Sequence, residues 1–290
     1  MKKTTSATYR QRFTAVIEYM HDNINGDLGV NALADIAIMS PYHFHRIYRE
    51  LMQETVNATV RRLRLQKAAI DLIRTDQSIQ SVAQGISYGS VEAFSRAFSR
   101  QFCISPGEYR NTKKHDCSND EPFIAMLPAE QKRYDNMYEV KTISIDKIHL
   151  AGYSHKGDYM AIGSTFEKLY MNASSQNLLN ENTRSIGLYY DDPKSVELDA
   201  LRSVACISVD KSQALDGGLE RMTIPAGSCA SILFKGPYAE LEKPYDWLMG
   251  HWIPNNNKEI ADFPPFEEYL NNPRDTPPNE LLTRIYCLLA

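Results

Sequence analysis

The sequence lacks long hydrophobic runs and close cysteine pairs. No stretch of about 18 consecutive apolar residues occurs, so we expect no membrane-spanning helix and no membrane partner. The five cysteines stand at positions 103, 117, 206, 229 and 287. Because their number is odd and none lies close to another, they offer neither a disulfide framework nor a Cys-x-x-Cys metal site. The opening Met1-Lys2-Lys3 leads into a helical pattern rather than an apolar signal segment, which predicts a cytoplasmic protein.

Motifs typical of enzymes and cofactor sites are also missing. The seven histidines are dispersed, and His43 and His45, two positions apart, cannot share one helix face. The sequence shows no glycine-rich phosphate loop, no Ser-His-Asp spacing and no metal-ligand cluster. We therefore expect a binding protein rather than an enzyme, with no catalytic residue, no metal and no cofactor.

Charge is distributed unevenly along the chain. The 290 residues are 43% apolar and 23% charged, which is ordinary for a globular protein of about two domains. Residues 1–116 carry 16 Lys and Arg against 11 Asp and Glu, whereas the remainder carries 16 against 25. This division suggests that only the first part faces a polyanion. A polar segment without apolar period follows residue 111, so we predict domains at 1–112 and 137–290 joined by a linker at 113–136.

The first part contains a repeat of about fifty residues. A short helix at 30–37, a turn at Ser40-Pro41 and a helix at 42–52 describe a helix-turn-helix. A longer helix at 54–74 follows, and the pattern then returns at 78–102. The matched positions are Phe44 and Phe94, Arg46 and Arg96, and Tyr48 and Phe98. Two such units can place two recognition helices in successive major-groove segments, about 34 Å apart.

These residues carry a family resemblance. The stretches Gly85-Ile86-Ser87-Tyr88, Phe94 to Phe102 and Ser105-Pro106-Gly107-Glu108-Tyr109-Arg110 resemble the signature of AraC/XylS transcriptional regulators, and the first unit fits the same family. The resemblance covers residues 8–112. Gln53 and Cys103 depart from it, because the family usually has glycine at these two helix ends. We therefore expect less sharp helix termination there.

The resemblance implies a double-stranded DNA partner. It places Tyr42, His45, Arg46, Glu92 and Arg96 at base-contacting positions. Helical periodicity turns Phe44, Ile47, Tyr48, Phe94, Ala97 and Phe98 inward and leaves a set of outward side chains: Tyr42, His45, Arg46 and Arg49 in the first unit, and Ser90, Val91, Glu92, Ser95, Arg96 and Arg100 in the second. Phosphate contacts are predicted for Ser40, Ser90, Arg61 and Arg62.

The second part shows the pattern strand, helix, strand, strand twice. The predicted elements are a strand at 137–150, a helix at 160–178 and strands at 185–190 and 202–209, then strands within 222–234, a helix at 238–252 and strands at 266–270 and 281–289. The whole chain is therefore predicted to be an all-α double helix-turn-helix domain followed by a duplicated β-α-β-β domain of α+β class.

This second part resembles the GyrI-like, or effector-binding, domain. The resemblance rests on Leu150-Ala151-Gly152-Tyr153, Ile224-Pro225-Ala226-Gly227, Gly236-Pro237-Tyr238, Phe266-Glu267-Glu268-Tyr269-Leu270 and Ile285-Tyr286-Cys287-Leu288-Leu289. It implies a ligand cleft between two halves, with Glu267 facing a cationic ligand. The aromatic candidates for the cleft are Tyr153, Tyr238, Trp247, Trp252 and Tyr269. Combined with the first part, the architecture resembles Rob-type AraC regulators.

The prediction is a sequence-specific transcriptional regulator, an activator, whose second domain binds a small hydrophobic or cationic effector. Its expected partners are promoter DNA, the effector and RNA polymerase. Two alternatives concern the second domain. In the first alternative, the second domain is a small-molecule hydrolase, with Glu267 as base beside Tyr153 or Tyr238. In the second alternative, it is a ligand-free protein-interaction module with a filled cleft.

Overall fold

Helices build the first part of the chain. The computed structural model describes residues 5–26, 28–112 and 137–290, so the predicted linker at 113–136 lies outside the described residues. The helices are α1 (Thr5–Asp22), α2 (Val30–Ile36), α3 (Pro41–Met52), α4 (Val56–Arg74), α5 (Ile79–Gly85), α6 (Val91–Phe102) and α7 (Pro106–Thr112). Within the described part of the chain, no helix is both long and apolar enough to cross a membrane.

Both recognition helices, α3 and α6, begin at a capping serine. The Ser40 hydroxyl accepts a hydrogen bond from the Tyr42 amide, and the Ser90 hydroxyl accepts one from the Ala93 amide. The inward face is confirmed, because Phe44, Ile47 and Tyr48 in α3, and Phe94 and Phe98 in α6, are buried. Only Ala97 of the expected set is half-buried.

The expected loose ends of α3 and α6 are not observed. Gln53 and Cys103 end these helices in the left-handed conformation, with φ of 57° and 62°. Glycine is the residue that adopts this conformation without steric cost. The two helices therefore terminate sharply although a side chain stands at each end.

The second part is one eight-stranded antiparallel sheet with helices. Its elements are β1 (Val140–Ile145), β2 (Ile148–Lys156), α8 (Gly163–Ser175), β3 (Ser185–Tyr189), β4 (Arg202–Ser208), β5 (Glu220–Ile224), β6 (Gly227–Lys235), α9 (Glu242–Trp247), α10 (Ile253–Asn255), β7 (Phe266–Tyr269) and β8 (Leu282–Leu288). A π-helical turn, Leu248–Trp252, joins α9 to α10. Short 3-10 turns at Tyr159–Ala161 and Tyr238–Glu240 precede α8 and α9.

The sheet repeats itself at an offset of about eighty residues. Its strand order is β1-β6-β8-β7-β3-β4-β2-β5, which reads as two equivalent halves meeting at the β7–β3 pair. Each half gives its first strand to the other, because β1 pairs with β6 and β5 pairs with β2. Gly187 and Glu267 lie opposite each other at the meeting point. This pair therefore marks a pseudo-twofold axis.

The duplicated α+β fold is confirmed, but the repeat contains one more strand than the β-α-β-β pattern, and the first half shows where the element prediction was wrong. The strand predicted over 137–150 is two strands, β1 and β2, separated at Asp146-Lys147. An alternating pattern runs through this tight turn, which is why the sequence suggested one strand. The observed repeat is β-β-α-β-β.

The hydrophobic cores do not follow the predicted domain boundary. One core combines α1 to α3 and the first half of α4 with β6, β8, α9 and α10. A separate core contains the second half of α4 together with α5 and α6. Since α4 belongs to both cores, the first helix-turn-helix unit packs with the sheet domain, and the second unit stands apart from it.

Candidate effector cleft and recognition helices

A cavity of about 950 Å³ lies between the two halves of the sheet domain. Its walls include aromatic side chains from equivalent positions in the repeat: Tyr159 and Tyr238 from the 3-10 turns, Phe166 and Tyr245 from the helices, and Tyr189 and Tyr269 from the strands. Drug-sized ligands bind in cavities of about 300–1,000 Å³ lined by apolar and aromatic groups. The size and lining fit such a molecule.

Glu267 lies at this cavity on the pseudo-twofold axis. Its side chain is buried, with the residue only 4% exposed. Burial raises the pKa of Glu267 to about 7, although the hydroxyls of Tyr269 and Tyr245 and the charge of Arg46 act to lower it. Tyr269 donates a hydrogen bond to Glu267 Oε2 at 2.8 Å, and the Tyr189 and Tyr269 hydroxyl oxygens are 2.5 Å apart. The result is a carboxylate with little solvation at an aromatic site.

Gly187 provides the space that this arrangement needs. A Cβ atom at position 187 would lie 2.8 Å from the Tyr189 ring and 3.0 Å from the hydroxyl oxygens of Tyr189 and Tyr269. Any side chain there would displace the tyrosine pair that supports Glu267. The two halves are therefore asymmetric at the axis, with glycine in one and glutamate in the other.

Three of the six predicted ligand residues lie at the cavity, namely Glu267, Tyr238 and Tyr269. The prediction is wrong for the other three, which do not line the cavity. Tyr153 packs under α8 and donates a hydrogen bond to the Gly217 carbonyl oxygen at 2.5 Å. Trp247 lies in the core shared with the first helix-turn-helix unit, and Trp252 packs against that core. Their large apolar rings are used for packing.

Sequence reasoning missed Tyr159, Phe166, Tyr189 and Tyr245. The signal that identifies them is the repeat itself. Each half of the chain contributes one member to every aromatic pair, at an offset of 79 or 80 residues. A self-alignment of residues 137–290 would have found them. Arg46, which also borders the cavity, comes from α3 and carries no such signal.

The second recognition helix is exposed as predicted. Ser90, Glu92, Arg96 and Arg100 are exposed, and Val91 and Ser95 are half-buried. In α4, Arg61 is exposed. Arg62 is half-buried and pairs with Glu54 at 2.6 Å. The outward face of α6 is therefore available to DNA.

The first recognition helix is not exposed, which corrects the prediction for its outward face. Arg46 and Arg49 are buried, and Tyr42 and His45 are half-buried. These side chains contact the sheet domain instead of solvent. Ser40, at the start of the same helix, is half-buried.

Charge complementarity explains the burial of the two arginines. Arg46 donates a hydrogen bond from Nη2 to the Asp191 carbonyl oxygen at 3.0 Å, and its guanidinium lies 4.4 Å from the centre of the Tyr245 ring. Arg49 Nη2 is 2.6 Å from Asp246 Oδ1, and its Nε is 3.6 Å from Asp192 Oδ2. Burial opposes ionisation of Asp192, but Arg46 and Arg49 hold the pKa of that carboxyl below its usual value. The arginines of α3 therefore pack against acidic residues of the sheet domain.

Two further contacts fix α3 against the sheet domain. Buried His43 donates a hydrogen bond from Nε2 to the Phe263 carbonyl oxygen at 2.9 Å, and burial lowers the pKa of His43 to about 4. The imidazole is therefore neutral at physiological pH. Gly250, in the π-helical turn, allows the two backbones to approach, because a Cβ at that position would lie 2.4 Å from the Cβ of Glu50.

No group of three or more His, Cys, Asp or Glu side chains within residues 5–26, 28–112 and 137–290 is arranged to hold a metal ion. The four described cysteines are free, with Cys103 exposed and Cys206, Cys229 and Cys287 buried. Besides Glu267, the tyrosines and Arg46, the cavity is bordered by further acidic residues: Asp158, Glu167, Asp192, Glu242 and Asp246.

Sequence comparison agrees with this geometry. Residues 138–290, more than half of the chain, match the GyrI-like small molecule binding domain. The chain belongs to the GyrI-like family. Residues 33–112 match a helix-turn-helix domain, of the AraC type. The resemblance to AraC regulators with a GyrI-like domain is confirmed, and this GyrI-like protein is a DNA-binding transcriptional regulator of the AraC/SoxS type.

Its relatives match through the helical part. The regulatory protein SoxS of Salmonella typhimurium is 29% identical over 104 residues, which are 36% of this chain and 97% of SoxS. The RCS-specific HTH-type transcriptional activator RclR of Escherichia coli is 35% identical over 109 residues, 38% of each chain. The GyrI-like protein therefore spans nearly all of SoxS but less than half of RclR.

Solved structures resemble it in fold. The chain in the cryo-EM structure of an EcmrR–DNA complex in EcmrR-RPo is 15% identical, with a TM-score of 0.48 over 90% of this chain and 98% of that one. The crystal structure of the EcmrR C-terminal domain gives 20% identity and a TM-score of 0.44 over 53% and 98%. These likenesses concern the fold alone.

Proposed function

We propose that the protein activates transcription in response to an aromatic cation bound in the cleft of its GyrI-like domain. The observation that carries the proposal is the buried Glu267, which meets the cavity as a carboxylate among aromatic rings. A cation bound there gains an ion pair and the negative faces of the rings. A neutral or anionic molecule of the same shape gains neither.

The open cavity supports this proposal over an interaction module. A domain that only binds proteins is expected to have a filled cleft, whereas this cleft has room for a drug-sized molecule. The hydrolase alternative has less support, since the relatives that match the helical part are regulators. The activating role is supported by the relative RclR, which is named a transcriptional activator. RNA polymerase is the partner we propose for an activator.

DNA recognition is assigned to the residues predicted from the repeat. The proposed base contacts are Val91, Glu92, Ser95, Arg96 and Arg100 of the exposed α6. Tyr42, His45, Arg46 and Arg49 of α3 are proposed to contact bases only in a state in which α3 is no longer packed against the sheet domain. Arginine pairs well with guanine, and glutamate accepts a hydrogen bond from cytosine. Ser40, Ser90, Arg61 and Arg62 are proposed to contact phosphates.

Isothermal titration calorimetry at pH 8 tests the effector proposal. The ligands are tetraphenylphosphonium and tetraphenylborate, which have one shape and opposite charge. We expect the cation to bind the wild type and to bind Glu267→Gln at least about tenfold more weakly, a loss of about 1.4 kcal/mol. The borate ion is expected not to bind.

Glu268→Gln is the matched control. Glu268 is the neighbouring residue in β7, but it pairs with Arg184 at 2.6 Å rather than bordering the cavity. Cation affinity should therefore persist in this variant. Equal affinity for the two ions, or no loss in Glu267→Gln, would show that the cleft does not select charge. Recovery of chemically altered ligand after incubation would favour the hydrolase.

A further inference from the structure

We propose that α3 is held away from DNA by the sheet domain, and that a cationic effector releases it by displacing Arg46 from the cleft. This inference rests on the proposed function of the cleft. It concerns how effector and DNA binding are coupled, which the family assignment does not specify.

Arg46 connects the two sites directly. Its guanidinium borders the effector cavity, lies over the Tyr245 ring and acts electrostatically on Glu267. The same side chain stands at a proposed base-contacting position of α3. The cleft is therefore already occupied at one edge by a cation that belongs to the recognition helix.

A second cation in the cleft competes with Arg46 in two ways. It takes the aromatic surface and the carboxylate that stabilise Arg46, and it repels the guanidinium across a site of low dielectric. Binding of the effector is consequently weaker while α3 is docked. By thermodynamic linkage, the effector favours the arrangement in which α3 has left the cleft.

The docked interface has a polar cost that favours release. Arg46 Nε and Arg49 Nη1 are buried and have no hydrogen-bond acceptor among the described residues. A buried donor without an acceptor destabilises the state in which it is buried. DNA phosphates and base edges supply acceptors to both arginines once α3 enters a groove. Satisfying these donors offsets part of the cost of separating α3 from the core it shares with the sheet domain, and the differential binding of effector and DNA must supply the remainder.

Gly250→Ala tests whether docking inhibits DNA binding. Its Cβ would overlap the Cβ of Glu50, so it should separate α3 from the sheet domain. Gly250 belongs to neither the cavity lining nor the proposed DNA contacts. Gly107→Ala is the matched control, because its Cβ would meet only Ile79 Cδ1 at an ordinary 3.8 Å.

The measurement is the affinity of full-length protein for a duplex selected from a random-sequence pool with Gly250→Ala. We expect tetraphenylphosphonium to tighten wild-type binding at least about fivefold, the lower end of usual allosteric couplings. Gly250→Ala should bind tightly without the cation and respond little to it, and Gly107→Ala should behave as the wild type. The hydroxyl-radical footprint of the wild type should extend by one major-groove segment when the cation is present.

The outcomes separate this inference from the proposed function. If Gly250→Ala binds DNA no more tightly than the wild type, docking does not inhibit and the inference is overturned. It is also overturned if the cation binds in a Glu267-dependent manner but leaves DNA affinity unchanged. Absence of calorimetric binding to the wild type refutes the proposed function instead. If Gly250→Ala does not fold, Asp246→Asn, which removes an ion-pair partner of Arg49, should tighten DNA binding in its place, measured without the cation because Asp246 also borders the cavity.

Discussion

Two residues at equivalent points of the helical repeat adopt a conformation that suits glycine. Gln53 and Cys103 follow α3 and α6, fifty residues apart, and both have positive φ. A residue with a side chain has a steric cost at positive φ. The conformation is nevertheless adopted because the next segment must leave the helix in a new direction. The same geometry in both units shows that turn position is set by the repeat and not by the residue that occupies it.

Cys103→Gly should stabilise the protein. The substitution removes the left-handed strain but adds disorder to the unfolded chain, so the expected net gain is about 0.5–1 kcal/mol. Urea unfolding followed by circular dichroism measures it. Cys103→Ala, which keeps a Cβ, is the control, and equal stability of the two variants would contradict the strain argument.

Cation affinity should depend on pH through Glu267. Its pKa of about 7 means that about a tenth of the carboxyl is ionised at pH 6 and about nine tenths at pH 8. The affinity for tetraphenylphosphonium should therefore fall about tenfold from pH 8 to pH 6. Tyr189, Tyr245 and Tyr269, which face Glu267, have raised pKa values and stay neutral in this range.

Glu50 is the control for this pH profile. Burial and the nearby Asp246 raise its pKa to about 7 as well, although it does not border the cavity. Calorimetry across pH 5.5 to 8.5 should give a flat profile for Glu267→Gln and the wild-type profile for Glu50→Gln. A flat profile for Glu50→Gln and a wild-type profile for Glu267→Gln would instead indicate that the pH dependence comes from Glu50, at the interface with α3.

At the scale of the element, the two recognition helices are alike in sequence and different in environment. Both have a capped start and a buried aromatic face, and both carry an arginine at the same position of the repeat. Arg96 is exposed on α6, whereas Arg46 is buried against the sheet domain. The difference comes from the acidic surface that α3 meets, which lies some 145 residues further along the chain.

Arg96→Ala should lose affinity at one base position of a selected duplex. The expected cost is about 1–3 kcal/mol against the preferred base and little against the others, because a base contact is specific. Arg61→Ala, at a proposed phosphate contact, should weaken binding to all sequences and reduce the slope of affinity against salt by about 1. Competition assays at several salt concentrations measure both. An equal loss of affinity for all sequences in Arg96→Ala would indicate that Arg96 contacts a phosphate and not a base.

Local sequence patterns predicted most of the elements, and the family resemblance predicted part of the cleft. Serine caps and apolar periodicity identified α3 to α6, and the resemblance to the GyrI-like domain implied that Glu267 faces the cleft. The tight turn between β1 and β2 was missed because alternation continues through it. The contacts of Arg46 and the packing of Trp247 could not be predicted, since they depend on which surfaces of two distant segments meet.

At the scale of the whole molecule, the first helix-turn-helix unit and the sheet domain share one core. Ile253 of α10 is fully buried in it, beside residues of α1 such as Phe13 and Val16. The second unit has its own core around Phe94 and Phe98. The structural division therefore runs through α4, and we expect the two regions to unfold separately.

Ile253→Ala should weaken α1 although the two are distant in sequence. Truncation of a buried isoleucine costs about 2–5 kcal/mol, and amide hydrogen exchange should show lost protection in α1 as well as in β6 and β8. Amides of α5 and α6 should keep theirs. Leu169→Ala, in the separate core under α8, is the control that should leave α1 protected. Unchanged exchange in α1 would mean that the shared core is not cooperative.

The glycine opposite Glu267 fixes the stoichiometry of binding. A duplicated domain with the same residue in both halves would offer two equivalent subsites related by the axis. Here the axis passes between Gly187 and Glu267, so the two aromatic half-sites share one buried carboxyl at the axis. One molecule of effector per chain saturates such a site, and a titration should end at one equivalent.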